Sequence, residues 1–241
     1  MKRHSTNVAI AFLLGAMAPL CAAQQAPGGT PAPGAVTAID ILLEPDTTML
    51  ARAEADNARL RKVFPKGFAL DATHHPHVTL LQRFVRTADL DKVYAAVGSV
   101  LAGVRLGDIR LQAFKYYYIP SQEIGLAGIV AKPTAPLLAL QAALIEAVTP
   151  FTAQTGDSAA FVTTPDDPVI DPALIQYVSV FVPKASGEHF NPHVTTGVAP
   201  RKYLDTMLAE PFQPFGFSFK GAAVYHLGQF GTAAKQLKAW D

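Results

Sequence analysis

Cysteine is nearly missing from this chain: among 241 residues there is one, Cys21. It belongs to MKRHSTNVAIAFLLGAMAPLCAAQQ, in which a short basic start precedes an apolar run from Val8 to Leu20 and then the small residues Cys21, Ala22 and Ala23. That order is the order of a secretory signal, and the run falls short of the roughly 20 apolar residues that a membrane span needs. Residues 1–23 are therefore expected to be a signal peptide cut near Ala23, with a periplasmic or secreted product and no stable membrane insertion after cleavage. The mature chain then lacks cysteine altogether, which excludes disulfides, thiolate metal ligands and a cysteine nucleophile.

Charge is also scarce. Asp, Glu, Lys and Arg make up 16% of the residues, and Lys2 and Arg3 are two of the 20 basic ones, so without them the 19 acidic residues are in excess by one. Nonspecific affinity for nucleic acid comes from clustered Lys and Arg, so long nucleic acid is not an expected partner, whereas a small phosphorylated ligand is compatible with this balance. No glycine-rich phosphate loop, serine nucleophile elbow or HExxH helix occurs, so P-loop NTPases, α/β-hydrolases and zinc proteases find no support. Hydrophobic residues, in contrast, make up half of the chain, enough to bury a sizeable core.

The stretch QQAPGGTPAPG reads as a flexible linker over residues 24–35, and folded material is expected over 36–241. Strand character is read in VTAIDILLEP, HVTLLQRFV, RLQAFKYYYI, IGLAGIVA, IQYVSVFV, HVTTGVA, FGFSFKGAAVYHLG and KQLKAW. Helical spacing is read in TTMLARAEADNARLRKVF, in ADLDKVYAAVGSVL with Thr87 as its cap, in the Leu- and Ala-rich run from Thr134 to Phe151, and near Tyr203 to Leu208. Residues 156–174 carry three prolines without periodicity and are expected to form a long loop. Strands and helices alternate in two similar halves, an α+β or α/β arrangement with two related lobes.

Pro-His-Val-Thr occurs twice, at Pro76 to Thr79 and at Pro192 to Thr195. Side chains at i and i+2 of a strand share a face, so each motif presents an imidazole beside a hydroxyl while Val78 and Val194 point to a core. The two motifs lie nearly half the mature chain apart, so a pseudo-twofold pair of lobes would bring them face to face. Such a cleft suits phosphoester cleavage without a metal. A neutral His takes a proton from the attacking water, a protonated His gives one to the leaving oxygen, and an ordinary pKa near 6.5 keeps both forms available. The Thr hydroxyls can donate to the nonbridging oxygens as charge builds up there.

These paired H-x-T strands, with IDILLEPD at the start of the folded region, resemble the two-histidine (2H) phosphoesterase superfamily, especially its branch of 2'-5' RNA ligase and RNA 2',3'-cyclic phosphodiesterase-like proteins. The resemblance spans about Val36 to Trp240. It implies an α+β, bilobal fold: two pseudo-twofold-related lobes of mainly antiparallel sheet, helices packed outside and a central cleft. It also implies cleavage or formation of 2'-linked or cyclic phosphoesters without metal or other cofactor, with His77 and His193 catalytic and Thr79 and Thr195 binding phosphate. Thr196 departs from the pattern, standing where members commonly have an apolar residue.

Two other classes remain open on the residues alone. One is a noncatalytic module that binds a nucleotide phosphate. The other is a metal binder built from His74, His75, His77, His189 and His193, which would leave the matching threonines unexplained. His74, His75 and His189 are read instead as solvated loop or rim. Tyr116 and Tyr118 share a strand face and are candidate base-stacking residues, with ordinary burial as the competing reading. Arg83 is read on the face of His77, too far along the strand to touch the same phosphate.

Overall fold

The computed structural model describes residues 34–165 and 167–241. The expected signal peptide, and the expected linker up to residue 33, lie outside the described residues. Eight strands form one antiparallel sheet: β1 (Val36–Pro45), β2 (Val78–Arg86), β3 (Leu111–Ser121), β4 (Ile124–Ala131), β5 (His193–Pro200), β6 (Phe215–Phe217), β7 (Phe219–Leu227) and β8 (Ala233–Trp240). Their spatial order is β6-β3-β4-β5-β2-β1-β7-β8. The sheet has a seam at its middle, where β2 and β5 pair only through Val78 and Val194. Two four-stranded lobes result, one of β2, β1, β7 and β8 and one of β6, β3, β4 and β5.

The lobes are not the two halves of the chain. The first takes β1 and β2 from the N-terminal part and β7 and β8 from the C-terminal part; the second is contiguous in sequence. Both ends of the folded chain are thus tied into the same lobe.

Among the described residues, five helices cover the sheet: α1 (Thr47–Val63), α2 (Leu90–Leu101), α3 (Ala135–Val148), α4 (Pro172–Ala185) and α5 (Arg201–Leu208). Asp46 starts α1 by accepting from the Thr48 and Met49 amides, the arrangement a capping carboxylate provides. Thr87 does not cap: its hydroxyl bonds Thr37 Oγ1 at 2.8 Å, and a single 3-10 turn, Thr87–Asp89, leads into α2. A main core of Ile39, Ile41, Leu43, Val78, Leu80, Leu81, Val97, Leu137, Leu144, Val194 and others lies under the helices. Val78 and Val194, the central residues of the two motifs, are fully buried in it.

IQYVSVFV, expected as a strand, lies inside α4. Asp171 caps it through the Ala173 amide and Pro172 occupies its first turn, a helix start contained in what had read as loop. Val178 and Phe181, three apart, bury their side chains there. Packing of one stripe outweighs the β propensity of Ile175, Val178, Val180 and Val182, which is a weak preference. The loop before α4 is packed down: Phe161 meets the Phe84 ring edge-on at 5.8 Å, and the Val162 amide bonds the Leu227 carbonyl at 2.8 Å.

Three bulges set which side chains face the cleft. Leu80 is the extra residue where β2 meets β1, Thr196 where β5 meets β4, and Phe114 where β3 meets β4. A bulge adds one residue and so reverses the alternation beyond it. In both motif strands the bulge falls immediately after the motif threonine. Thr196 is fully buried with its hydroxyl unpartnered among the described residues, and its carbonyl accepts from Asn57 Nδ2 at 2.9 Å.

Candidate functional site

The seam places the motifs. With Val78 across from Val194 in antiparallel register, His77 falls on the line of Thr195 and Thr79 on that of His193, all four on the face away from the core. Both imidazoles are held the same way. His77 Nδ1 lies 2.6 Å from the carbonyl oxygen of His75, and His193 Nδ1 lies 2.7 Å from that of Asn191, in each case two residues back. A carbonyl only accepts, so both Nδ1 atoms carry hydrogen and both Nε2 atoms are turned to the cleft.

Beyond this shared frame the lobes differ. Next to His77 stands Asp40 of β1, fully buried, whose Oδ2 accepts from the Thr79 hydroxyl at 2.8 Å and from Gln82 Nε2 at 3.0 Å. His77 Nε2 is 3.2 Å from Thr79 Oγ1 and 3.3 Å from Asp40 Oδ2. The threonine has one hydrogen and gives it to Asp40, so toward His77 it can only accept. Nε2 therefore faces two acceptors, an arrangement that favours a hydrogen on it. With Nδ1 facing the His75 carbonyl, the surroundings of His77 favour the imidazolium form.

His193 has no such neighbour. Among the described residues its Nε2 has no hydrogen-bond partner, and the Tyr117 ring meets its ring at 4.8 Å, tilted by 61°. The register explains the difference. Thr79 pairs with Leu42 and Gln82 with Asp40; in the other lobe Thr195 pairs with Gly128 and Val198 with Leu126. Leu126 and Val198 thus hold the places that Asp40 and Gln82 hold beside the first motif.

Electrostatics follow the geometry. Burial pushes the His77 pKa down, but the Asp40 carboxylate, by hydrogen bond and by charge, and the His75 carbonyl outweigh it, so it ends above its ordinary value. Burial lowers His193; the Asn191 carbonyl opposes this, the charge of His77 adds to it, and the net value is below ordinary. The two histidines are pushed apart, one toward acid and one toward base.

The structure moves several expected residues. Tyr116 and Tyr118 are not in the cleft. The Phe114 bulge turns them to the outer face, where Tyr116 packs edge-on against Phe212 at 4.8 Å and the Tyr118 hydroxyl bonds Asp205 Oδ1 at 2.6 Å. Tyr117 takes the cleft face, beside Gly128, where a Cβ would come within 2.7 Å of its ring and 2.8 Å of the Val194 carbonyl. Its hydroxyl is buried without a partner among the described residues, and burial raises its pKa far enough to keep it neutral.

Arg83 likewise leaves the cleft face. The Leu80 bulge puts it across from the core residue Ile39 and gives the cleft to Gln82. His74 and His75 are not solvated. His74 stacks on Phe68 at 4.5 Å and lies between Asp71 and Asp167, and His75 stacks on Tyr225 at 5.6 Å with Glu44 3.5 Å from its Nε2. His189 is exposed. No group of three or more His, Cys, Asp or Glu side chains able to hold a metal occurs among the described residues. Two surface hollows, one beside Arg52 and Phe215 and one between α2 and α3, include neither motif.

This seam brings together a histidine and a threonine from each lobe, as the resemblance to the 2H phosphoesterases implies. The sequence profile of the 2'-5' RNA ligase superfamily matches residues 50–228, and the chain belongs to that family. The protein TT0787 of Thermus thermophilus shares its fold, with a TM-score of 0.51 and 18% identity over 85% of this chain and 97% of that one. Looser similarity extends to Escherichia coli LigT, solved with NADP+ (TM-score 0.43, 14% identity, 86% and 98% covered), and to Kluyveromyces marxianus Usb1 (0.39, 8%, 84% and 96%). No curated protein is similar enough to count as a match.

Proposed function

We propose that this phosphoesterase opens 2',3'-cyclic phosphates, or cleaves 2'-5' linkages, of a small nucleotide or short RNA, with His193 as general base and His77 as general acid. The observation that carries this reading is the opposite hydrogen bonding of two otherwise matched imidazoles. The Nε2 of His193 meets no hydrogen-bond partner among the described residues, whereas that of His77 faces Thr79 Oγ1 and Asp40 Oδ2.

In the cyclic case a water attacks phosphorus and gives its proton to His193 Nε2. The bond from phosphorus to one ribose oxygen breaks, and that oxygen takes the Nε2 proton of His77, leaving a phosphomonoester. Solvent then removes the proton from His193 and returns one to His77. The contacts of His77 Nε2 are long for hydrogen bonds, so a leaving oxygen seated in the cleft competes for that proton. Thr195, half-buried on the cleft face, supplies a hydroxyl to a nonbridging oxygen. No step requires a metal.

The test is incubation of the purified protein with 2',3'-cyclic nucleotides and 2'-5' linked dinucleotides, followed by phosphorus NMR. Appearance of monoester, insensitive to chelator and lost in His77→Ala and His193→Ala, is the expected result. Intact substrates of both kinds would overturn the substrate assignment, and tight nucleotide binding without product would mark a binding module instead. Export belongs to the same proposal and is checked by fractionation of cells making the full chain, where cytoplasmic retention of uncut protein would refute it.

A further inference from the structure

We propose that Asp40 is a positioning residue: it holds His77 as the doubly protonated acid and takes the hydroxyl proton of Thr79, so that of the two motif threonines only Thr195 is left to donate to phosphate. The inference rests on the acid and base roles just given and names the residue that makes them unequal.

Asp40 interrupts the apolar strand VTAIDILLEP and is fully buried. Burying a carboxylate is costly unless it is paired and hydrogen-bonded. Oδ2 receives Thr79 and Gln82, while Oδ1 has no partner among the described residues. Two neutral donors on one oxygen leave the charge itself uncompensated. The group that can balance it is the His77 ring, 3.3 Å away. The carboxylate thus favours the charged form of the imidazole.

The remaining titratable neighbours do not supply that balance. Tyr225 is the cross-strand partner of Asp40 on β7, and Tyr177 of α4 feels the Asp40 charge; burial pushes both phenols up to about 12, so both stay neutral. Glu44 is held below its ordinary range by His75 and then Lys220, despite its burial, and so adds a second negative charge behind His75. His193 faces His77 from β5, with the neutral Tyr117 beside it.

The other lobe serves as an internal control. Leu126 and Val198 sit in the register positions of Asp40 and Gln82, and there the threonine hydroxyl and the imidazole Nε2 are both without a protein partner among the described residues. The carboxylate is thus what separates two copies of one motif. It also changes the part assigned to Thr79. With its only hydrogen on Asp40, Thr79 relays between carboxylate and imidazole and has no proton for a phosphate oxygen.

The deciding experiment needs no substrate: imidazole nitrogens are followed by proton–nitrogen NMR through a pH titration of the full chain, unaltered and as Asp40→Asn. In the unaltered protein His77 should show both nitrogens protonated at neutral pH and a midpoint above the ordinary value of about 6.5. In Asp40→Asn that midpoint should fall by about one unit or more, a tenfold change in the ionisation constant, with a smaller change at His193. A neutral His77 at pH 7 in the unaltered protein overturns the proposal whether or not the variant folds, as does an unmoved midpoint in a folded variant. Because no turnover is read, a protein inactive on cyclic phosphates would refute the proposed function while leaving the role of Asp40 to this titration.

Discussion

Two copies of Pro-His-Val-Thr, folded into matching strands with matching bulges and matching carbonyl contacts at Nδ1, end in different surroundings. Beside His77 stand Asp40 and a threonine that donates to it, with Gln82 on the same carboxylate; in the second lobe the matching register positions hold Leu126 and Val198, and the edge of Tyr117 meets His193. Shared backbone geometry aims the imidazoles, and two cross-strand partners beyond each bulge, one on the motif strand and one on its neighbour, differ between the lobes. On the proposed roles, a carboxylate at the position of a leucine is what tells acid from base on a symmetric frame.

That comparison breaks most easily at the histidines. Either His77→Ala or His193→Ala should lower kcat by about 10²- to 10⁴-fold, the usual range for loss of a general acid or base. Steady-state turnover of a cyclic nucleotide measures it. The threonines should then separate. Thr195→Val should cost about 10²-fold or more in kcat through the lost donor to the developing charge. Thr79→Val should cost less, and its mark should be a displaced alkaline limb of the pH profile. Equal losses with unmoved limbs would mean that both hydroxyls contact phosphate.

Packing around the second motif gives a milder test. Gly128→Ala places a methyl against Tyr117 and the Val194 carbonyl, and overfilling of this kind costs about 1–3 kcal/mol, read from denaturant unfolding. Activity should fall with it, since the displaced groups border His193.

Stability should also carry the imprint of the pair. His77 has a raised pKa when folded, so the stability it adds is fully present below the unfolded value of about 6.5 and is lost as pH rises through the folded value. His193 has a lowered one, so the folded state loses stability as pH falls below about 6.5 toward the folded value. Unfolding midpoints of His77→Ala should lack the alkaline loss and keep the acidic one. The smallest effect belongs to Tyr118→Phe, which removes the bond to Asp205 on the outer face: about 1 kcal/mol of stability at most, and unchanged turnover.

The motif strands were legible because strand alternation and the repeated tetrapeptide agree over β2 and β5, and β1 and β4 span the segments read from their apolar runs. Alternation failed where a bulge intervened. Counting by twos from Ala113 puts Tyr116 and Tyr118 in the cleft and Tyr117 in the core, and the extra residue Phe114 reverses both assignments. The same slip at Leu80 exchanged Arg83 for Gln82. Nothing in the local sequence marks either bulge.

Asp40 did leave a signal, a carboxylate in the middle of an apolar strand, which is rare unless the charge has a partner. Its partner came from a different strand, so sequence spacing could not supply it. The helix α4 was obscured by its β-branched composition, although Asp171 and Pro172 announced its start.

The most direct test is the pH dependence of kcat/KM on a 2',3'-cyclic nucleotide for the unaltered protein and the two histidine variants. The account predicts a bell for the unaltered protein, residual activity without the alkaline limb in His77→Ala, and residual activity without the acidic limb in His193→Ala. Loss of the opposite limb in each variant would contradict the assignment of acid and base, and full activity in both would remove the motifs from the chemistry.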